Sequence, residues 1–186
     1  MLPTPSQTVG PFFQVGLTAE AHCIRLIAGR KAKGERIWLA CQVLDGEGSP
    51  VPDAMIEIWQ ADAAGQYPAP ENGGADPECS GFGRLPTDEE GRCEFESVRP
   101  GRVEGPGGVQ QTPHFVVAVF ARGLLKQLFT RVYFAGEAAN QEDPVLALVP
   151  AKRRETLMAQ PDPLRPGHWR FDVRLQGDKE TVFFDV

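Results

Sequence analysis

The stretch RIWLACQVLDGEGSPVPDAMIEIWQAD, residues 36–62, decides the fold class of this 186-residue chain. Residues 36–44 and 54–62 are mostly apolar and have the length of β-strands. The segment between them, residues 45–53, is rich in glycine, proline and aspartate, which each bend a chain for a different physical reason. The pattern predicts two strands joined as a hairpin or a meander step.

Outward from this stretch, further apolar segments alternate with turns. Two loops without helical or strand periodicity interrupt them, at residues 63–83 and 99–113. Loops of this length inside a compact domain are uncommon and are often functional. Residues 143–160 fit one or two short helices, the first capped by Asp143 or Asn140. We expect an all-β fold, a single β-sandwich of about seven to eight strands with long loops and one or two short helices.

Three connections can be predicted in more detail. Residues 84–98 read as a strand, an acidic turn and a second strand. The strands at residues 114–123 and 125–134 are joined by a turn at Arg122 and Gly123. Residues 168–186 form a closing hairpin that turns at Gly177 and Asp178.

Composition excludes several classes of function. The net charge of −6 argues against a nucleic acid or an anionic membrane as the main partner. No window approaches the ~18 continuous apolar residues of a membrane span. The opening MLPTPSQTVGPFF lacks the basic start and apolar core of a signal peptide. The four cysteines are widely spaced and include no CxxC pair, which argues against a zinc site. Without a secretion signal, we expect reduced thiols in a cytoplasmic protein.

Two side chains carry candidate chemistry. His114 begins an apolar strand, and a metal site there would need His-x-His, because residues two apart in a strand share a face. Val116 stands where the second histidine would be. From the sequence alone, the favoured interpretation of His114 is a core or loop-anchoring histidine whose imidazole bonds a backbone carbonyl. Arg122 ends the same strand and is either a surface charge or a planar guanidinium that grips an anion at a pocket mouth.

Several stretches together resemble the intradiol aromatic-ring dioxygenases, non-haem ferric enzymes that split catechols between their two hydroxyls. They are GSPVPDAMIEIWQADAAGQY (48–67), TPHFVVAVFARGLL (112–125), TRVYF (130–134) and WRFDVRLQGDKETVFF (169–184). The opening TPSQTVGPFF narrows the resemblance to members that are built from α and β chains, and to the α type. Such members cleave protocatechuate (3,4-dihydroxybenzoate) with O₂ to 3-carboxy-cis,cis-muconate.

The resemblance implies a ferric ion held by two tyrosines and two histidines. Tyr67 and His114 stand at two of these positions, whereas the other two are occupied by Val103 and Val116. The resemblance also implies an arginine three residues before the first histidine, where this chain has Gln111. Valine cannot donate a lone pair to iron, and two ligands hold a ferric ion weakly. We therefore expect no metal and no catalytic residue in this chain alone.

The resemblance further implies how such a chain is used. Residues 1–16 would be an N-terminal arm that contacts the partner β subunit and the substrate pocket, and residues 17–186 an intradiol dioxygenase-like β-sandwich domain. The cofactor, Fe(III), would be bound by the β subunit and not by this chain. The substrate-binding positions implied by the motifs are Thr8, Gly10, Pro11, Phe12 and Arg122. Two alternatives stay open: a non-enzymatic β-sandwich module that binds an aromatic ligand, and a self-sufficient homo-oligomeric dioxygenase.

Overall fold

The architecture is that of a computed structural model, which describes residues 5–68 and 74–185. The strands within these residues are β1 (Arg36–Leu44), β2 (Met55–Gln60), β3 (Phe82–Pro86), β4 (Arg92–Val98), β5 (Val103–Glu104), β6 (Gln110–Gln111), β7 (His114–Phe120), β8 (Leu128–Phe134), β9 (Met158–Pro161) and β10 (His168–Arg174). The helices are α1 (Pro11–Leu17), α2 (Pro144–Ala147) and 3-10 helices at Glu20–His22, Pro106–Gly108, Ala138–Glu142 and Ala151–Leu157. Among the described residues, no helix is long and apolar enough to cross a membrane.

The strands build two layers that share a short linking strand. One layer has the order β3-β2-β7-β8 and the other the order β10-β1-β4, while β9 pairs with both β8 and β10. The main core lies between the layers and includes the buried aromatic rings of Phe95, Phe115, Phe134 and Phe171. The predicted all-β sandwich is confirmed. The short strands β5 and β6 pair separately, within the second long loop.

The predicted hairpin between β1 and β2 is wrong. β1 pairs with β10 and β4, whereas β2 pairs with β3 and β7, so the chain crosses from one layer to the other. The strands β3 and β4, predicted on either side of an acidic turn, are also divided between the layers. Side-chain alternation shows which face of a strand is apolar, but both layers turn that face toward the same core. Periodicity therefore does not distinguish a hairpin from a crossing.

Other predicted connections hold. β7 and β8 pair antiparallel across the turn at Arg122 and Gly123. Asp143 caps α2, since its carboxylate accepts hydrogen bonds from the backbone N–H groups of Val145 at 3.0 Å and Leu146 at 2.7 Å. Such a cap satisfies donors that would otherwise be unpaired at the start of the helix.

The closing hairpin is only partly as predicted. The backbone N–H of Thr181 donates to the carbonyl oxygen of Arg174 at 2.9 Å, so the chain does reverse direction near Gly177. The returning arm, however, forms no regular strand in the described residues. It leaves the layer of β10, and Phe184 bridges to Phe129 in the other layer.

The N-terminal arm contains a short helix. Residues 5–10 form no helix or strand, but α1 begins at Pro11, where the fixed φ of proline is already suited to a first helical residue. The helix places Phe13 against Phe120 of β7, with ring centroids 5.5 Å apart. The described part of the arm therefore lies on the same layer that carries His114.

Candidate functional site

The face of the β3-β2-β7-β8 layer that points away from the core carries two groups of candidate residues. Strand register aligns Phe82, Trp59, Val116 and Arg131 in one row across the four strands. His114 lies two residues before Val116 on the same face, because strand side chains alternate. We call the region around this row and His114 the cleft.

The long loop before β3 forms one wall of the cleft. Asp62 organises it, since one carboxylate oxygen accepts hydrogen bonds from the N–H groups of Ala64 and Gln66, both at 2.9 Å. Gly65 has a φ of +81°, and a Cβ there would overlap the carbonyl oxygen of Arg102 in the second loop. A glycine is needed for this close approach of the two loops.

Tyr67 belongs to that wall, and its side chain lies against the row formed by Phe82, Trp59, Val116 and Arg131. Its ring stacks on Trp59, with centroids 6.5 Å apart and planes 8° apart. Burial raises the pKa of the Tyr67 phenol, and the nearby guanidinium of Arg131 partly offsets this effect. The phenol is therefore protonated at neutral pH.

His114 is buried at the inner end of the cleft. Its Nδ1 lies 2.7 Å from the carbonyl oxygen of Thr112, so Nδ1 carries the proton and donates it to that carbonyl. Burial, and then the positive charge of Arg131, lower the pKa of His114 to about 4. The imidazole is neutral at physiological pH, and Nε2 is its unprotonated ring nitrogen.

A positive charge stands beside these groups. Arg131 lies directly opposite Val116 in the β7–β8 register, and its Nη1 donates a 2.7 Å hydrogen bond to Oε1 of Gln111. Gln111 is the residue at the position where the resemblance implied an arginine. The chain has no arginine at position 111, but Arg131 of the neighbouring strand β8 places a guanidinium beside that position.

The second group of candidate residues lies at the far end of β7. Oγ1 of Thr8 accepts a 2.8 Å hydrogen bond from the N–H of Gly123, which joins the arm to the β7–β8 turn. A groove of about 360 Å³ lies between these segments. Its lining includes Thr8, Gly10, Phe13, Phe120, Leu124 and Leu125. Phe12 is 90% exposed beside this groove, and the side chain of Pro11 lies outside the described part of the structure. We call this region the arm groove.

Arg122 is at the same end of β7 and forms an ion pair. Its Nε lies 2.9 Å from Oδ2 of Asp53, and the arginine side chain is 70% exposed while that of Asp53 is 30% exposed. Asp53 has a φ of 60°, a left-handed conformation that aspartate tolerates better than most residues. Oδ1 of Asp53 is buried and has no hydrogen-bond partner among the described residues. Arg122 is therefore an exposed guanidinium paired with Asp53, and its role in binding an anion stays a prediction.

The two regions are well separated. His114 and Phe120 are the first and last residues of β7, and six residues of strand span roughly 20 Å. Arg122 lies beyond Phe120. The predicted residues therefore form two groups. Tyr67, His114 and Val116 lie at the cleft, whereas Thr8 and Gly10 line the arm groove and Arg122 follows the same end of β7, outside the lining of that groove.

Sequence reasoning missed three residues that shape these regions. From the sequence, Arg131 was recognised only as part of the TRVYF motif and Asp53 only as a residue of the turn before β2, and no role was assigned to either. Trp59 was identified as a strand residue, but its stack with Tyr67 depends on the path of a long loop. An arginine in the strand that follows the His114 strand was the available signal for Arg131, since consecutive strands often pair.

Comparison with known proteins bears on both regions. The sequence profile of the family described as Dioxygenase matches residues 8–177. The protocatechuate 3,4-dioxygenase alpha chain of Burkholderia cepacia is 48% identical, over 98% of this chain and 97% of that protein. This chain belongs to the intradiol dioxygenase family. The corresponding alpha chain of Pseudomonas putida is 42% identical, over 98% of this chain and 96% of its own length.

This intradiol dioxygenase chain is also similar to a beta chain. The protocatechuate 3,4-dioxygenase beta chain of Burkholderia cepacia is 33% identical, over 80% of this chain and 67% of that protein. Among solved structures, 3-chlorocatechol 1,2-dioxygenase from Rhodococcus opacus has a TM-score of 0.67 at 24% identity and covers 91% of this chain. At this level of identity the likeness shows the fold alone, and 71% of the Rhodococcus chain is covered.

Intradiol dioxygenases depend on iron, but the residues of this cleft do not fit a ferric ion. Val103 is buried on β5 opposite Gln111, and Val116 lies between Trp59 and Arg131 on neighbouring strands. Neither valine has an atom that can coordinate a metal. Of the implied ligand set, this leaves one imidazole and one phenol, and two ligands hold a ferric ion weakly.

Proposed function

We propose that this chain is the non-iron-binding α subunit of a heteromeric protocatechuate 3,4-dioxygenase. In this proposal a β subunit binds Fe(III), and the arm groove of the present chain completes the site in which protocatechuate is cleaved by O₂ to 3-carboxy-cis,cis-muconate. The chain is an enzyme subunit and is inactive alone. Residues 1–16 act as the arm that contacts the partner and its substrate pocket, while residues 17–186 form the supporting sandwich.

The separation of the two regions along β7 is the observation that carries this proposal. An arginine that binds the substrate carboxylate must lie within one substrate length of the metal that binds the hydroxyls. Arg122 and the arm groove lie roughly 20 Å or more from His114, at the other end of a strand. They cannot serve a site at His114 of the same chain, so a substrate that they bind must react at a metal held by another chain.

Arg122 suits the carboxylate of protocatechuate. Asp53 binds it at Nε, and among the described residues no other group engages the guanidinium. The terminal amino groups are thus available for the two oxygens of a ring carboxylate, in the bidentate arrangement that arginine prefers. Thr8, Gly10, Pro11 and Phe12 would form the rest of the wall, and Thr8 ties that wall to the turn that carries Arg122.

Exposed apolar side chains near the arm groove favour the binding of a partner protein there. Phe12 is 90% exposed, Val15 70% and Leu125 63%, and all three belong to the arm or to the turn that borders it. Clustered exposed apolar groups are typical of protein–protein contacts. An obligate pair of subunits would bury on the order of 2,000 Å² or more. The four cysteines are all described and all free, in keeping with a cytoplasmic location, which we also propose.

Reconstitution tests the proposal. The purified chain should be colourless and inactive, and it should acquire turnover of protocatechuate and a tyrosinate-to-iron colour only with a β subunit. Iron bound stoichiometrically by the lone chain, with turnover, would instead identify a self-sufficient homo-oligomer. Calorimetry with protocatechuate separates the remaining alternative, because a binding module would bind the ligand without a β subunit.

A further inference from the structure

The cleft holds a cation opposite one of its two lost ligand positions. Side chains directly opposite each other in an antiparallel pair have Cβ atoms about 4.5–5.5 Å apart. Arg131 and Val116 are such a pair. The guanidinium of Arg131 therefore lies close to position 116. A metal ion bound by a donor side chain at that position would be next to a positive charge.

The surroundings hold this guanidinium in the cleft. The guanidinium of Arg131 donates a 2.7 Å hydrogen bond to Gln111. It also hydrogen-bonds the hydroxyl of Tyr133, two residues further along β8. The Tyr133 hydroxyl in turn donates to Oδ1 of Asp143 at 3.3 Å. Among the described residues no carboxylate forms an ion pair with Arg131, and Asp143 is linked to it only through the neutral hydroxyl of Tyr133.

We propose that Arg131 excludes metal cations from the cleft, so that a fixed positive charge, and not only the two missing ligands, keeps this chain free of iron. The guanidinium lies opposite position 116 and carries a positive charge, which repels a metal cation at the same place. A reversion of the valines to ligands would then not be sufficient for metal binding. This inference concerns the isolated chain and stands whether or not the chain pairs with a β subunit.

Restoring ligands with and without the charge tests the inference. Val116→His creates His-x-His with His114, and the test compares Val116→His with Val116→His/Arg131→Gln for Co(II) affinity by titration calorimetry. Glutamine keeps a hydrogen-bonding partner for Gln111 and removes the charge. Because charges this close repel strongly even at an effective dielectric constant of about 20, we expect the double variant to bind Co(II) at least about tenfold more tightly.

A second comparison keeps the inference testable if the first pair folds poorly. Val103→Tyr/Val116→His is titrated with Fe(III), with and without Arg131→Gln, and the tyrosinate-to-iron absorption band is recorded. The band should appear only when Arg131 is replaced. Thermal melts followed by circular dichroism identify the folded variants.

Two controls are needed. One tests whether the charge of Arg131 matters rather than its shape, and the other tests whether the local charge matters rather than the net charge of the protein. Arg131→Lys keeps a positive charge in the cleft and should bind Co(II) as weakly as the Arg131 parent in the Val116→His background. Arg170→Gln removes an exposed charge from β10 in the other layer and should change the affinity by less than about twofold, because solvent screens it. Equal affinity with and without Arg131, or an equal gain from Arg170→Gln, would overturn the inference.

Discussion

Asp53 orients Arg122: Oδ2 of the aspartate lies 2.9 Å from Nε of the arginine. The two residues come from the turn before β2 and from the turn after β7, and these strands pair so that Met55 lies opposite Phe120. The ion pair therefore depends on the register of the β2–β7 pair. Sheet pairing and substrate recognition are linked at this point of the proposed function.

Replacement of Arg122 should change substrate preference. In the complex with a β subunit, we expect Arg122→Ala to raise KM for protocatechuate about 10- to 100-fold, because a charge-assisted hydrogen bond contributes about 1.5–3 kcal/mol. KM for unsubstituted catechol, which has no carboxylate, should change little. Steady-state kinetics on both substrates check this, with Arg122→Lys as the variant that keeps the charge. Equal effects on both substrates would show that Arg122 does not bind the carboxylate.

Asp53 should act through Arg122 and not on the substrate itself. Asn at position 53 tolerates the left-handed backbone and removes the charge. We expect Asp53→Asn to raise KM for protocatechuate less than Arg122→Ala does, with kcat nearly unchanged. In the double variant the two effects should not add, since both changes disturb one interaction. Additive effects would mean that Asp53 influences the site independently, and Asp178→Asn on an exposed turn is the matched control.

The bond between Thr8 and Gly123 should fix the arm to the turn. Thr8→Val keeps the shape of the side chain but removes the oxygen that accepts the 2.8 Å hydrogen bond. We expect faster hydrogen exchange at the Gly123 amide and a several-fold rise in KM for protocatechuate, in line with the roughly 1 kcal/mol of an ordinary hydrogen bond. Thr8→Ser keeps the oxygen and should resemble the parent protein. Unchanged exchange in Thr8→Val would contradict the contact.

Two neighbouring phenylalanines of the arm should have different effects. Phe13 packs on Phe120, whereas Phe12 is 90% exposed. Phe13→Ala should loosen α1 in the isolated chain, seen as faster limited proteolysis of the arm. Phe12→Ala should leave proteolysis unchanged but weaken association with a β subunit, measured by sedimentation. The reverse pattern would show that Phe12, and not Phe13, anchors the arm to this chain.

His114 should make the fold sensitive to acid. Its folded-state pKa of about 4 lies below the ordinary value of 6.5, so the unfolded chain binds the proton first as pH falls. This contribution to stability is full above pH 6.5 and is lost progressively between pH 6.5 and 4, by up to about 3 kcal/mol. Urea unfolding at pH 7.5, 6 and 5 measures it, and His114→Gln should show a flatter dependence. The same slope in both proteins would refute the assignment.

Much of the architecture could be predicted from local patterns. The apolar segments that became β1, β2, β7 and β8 have strand length, and Asp143 precedes a helix that it caps. Such features depend on neighbours in sequence. The pairing of β1 and β2 was predicted wrongly because both strands bury one face in the same core. Which layer a strand joins depends on distant residues, which no local period encodes.

The sequence by itself determined which chemistry this chain can carry. Val103 and Val116 lack donor atoms wherever the chain places them, since coordinating ability belongs to the residue type. The tertiary structure alone decided where the remaining groups act. The length of β7 separates Arg122 from His114, and the β7–β8 register sets Arg131 opposite Val116. Distances between residues far apart in the chain follow from strand pairing, which only the assembled sheet defines.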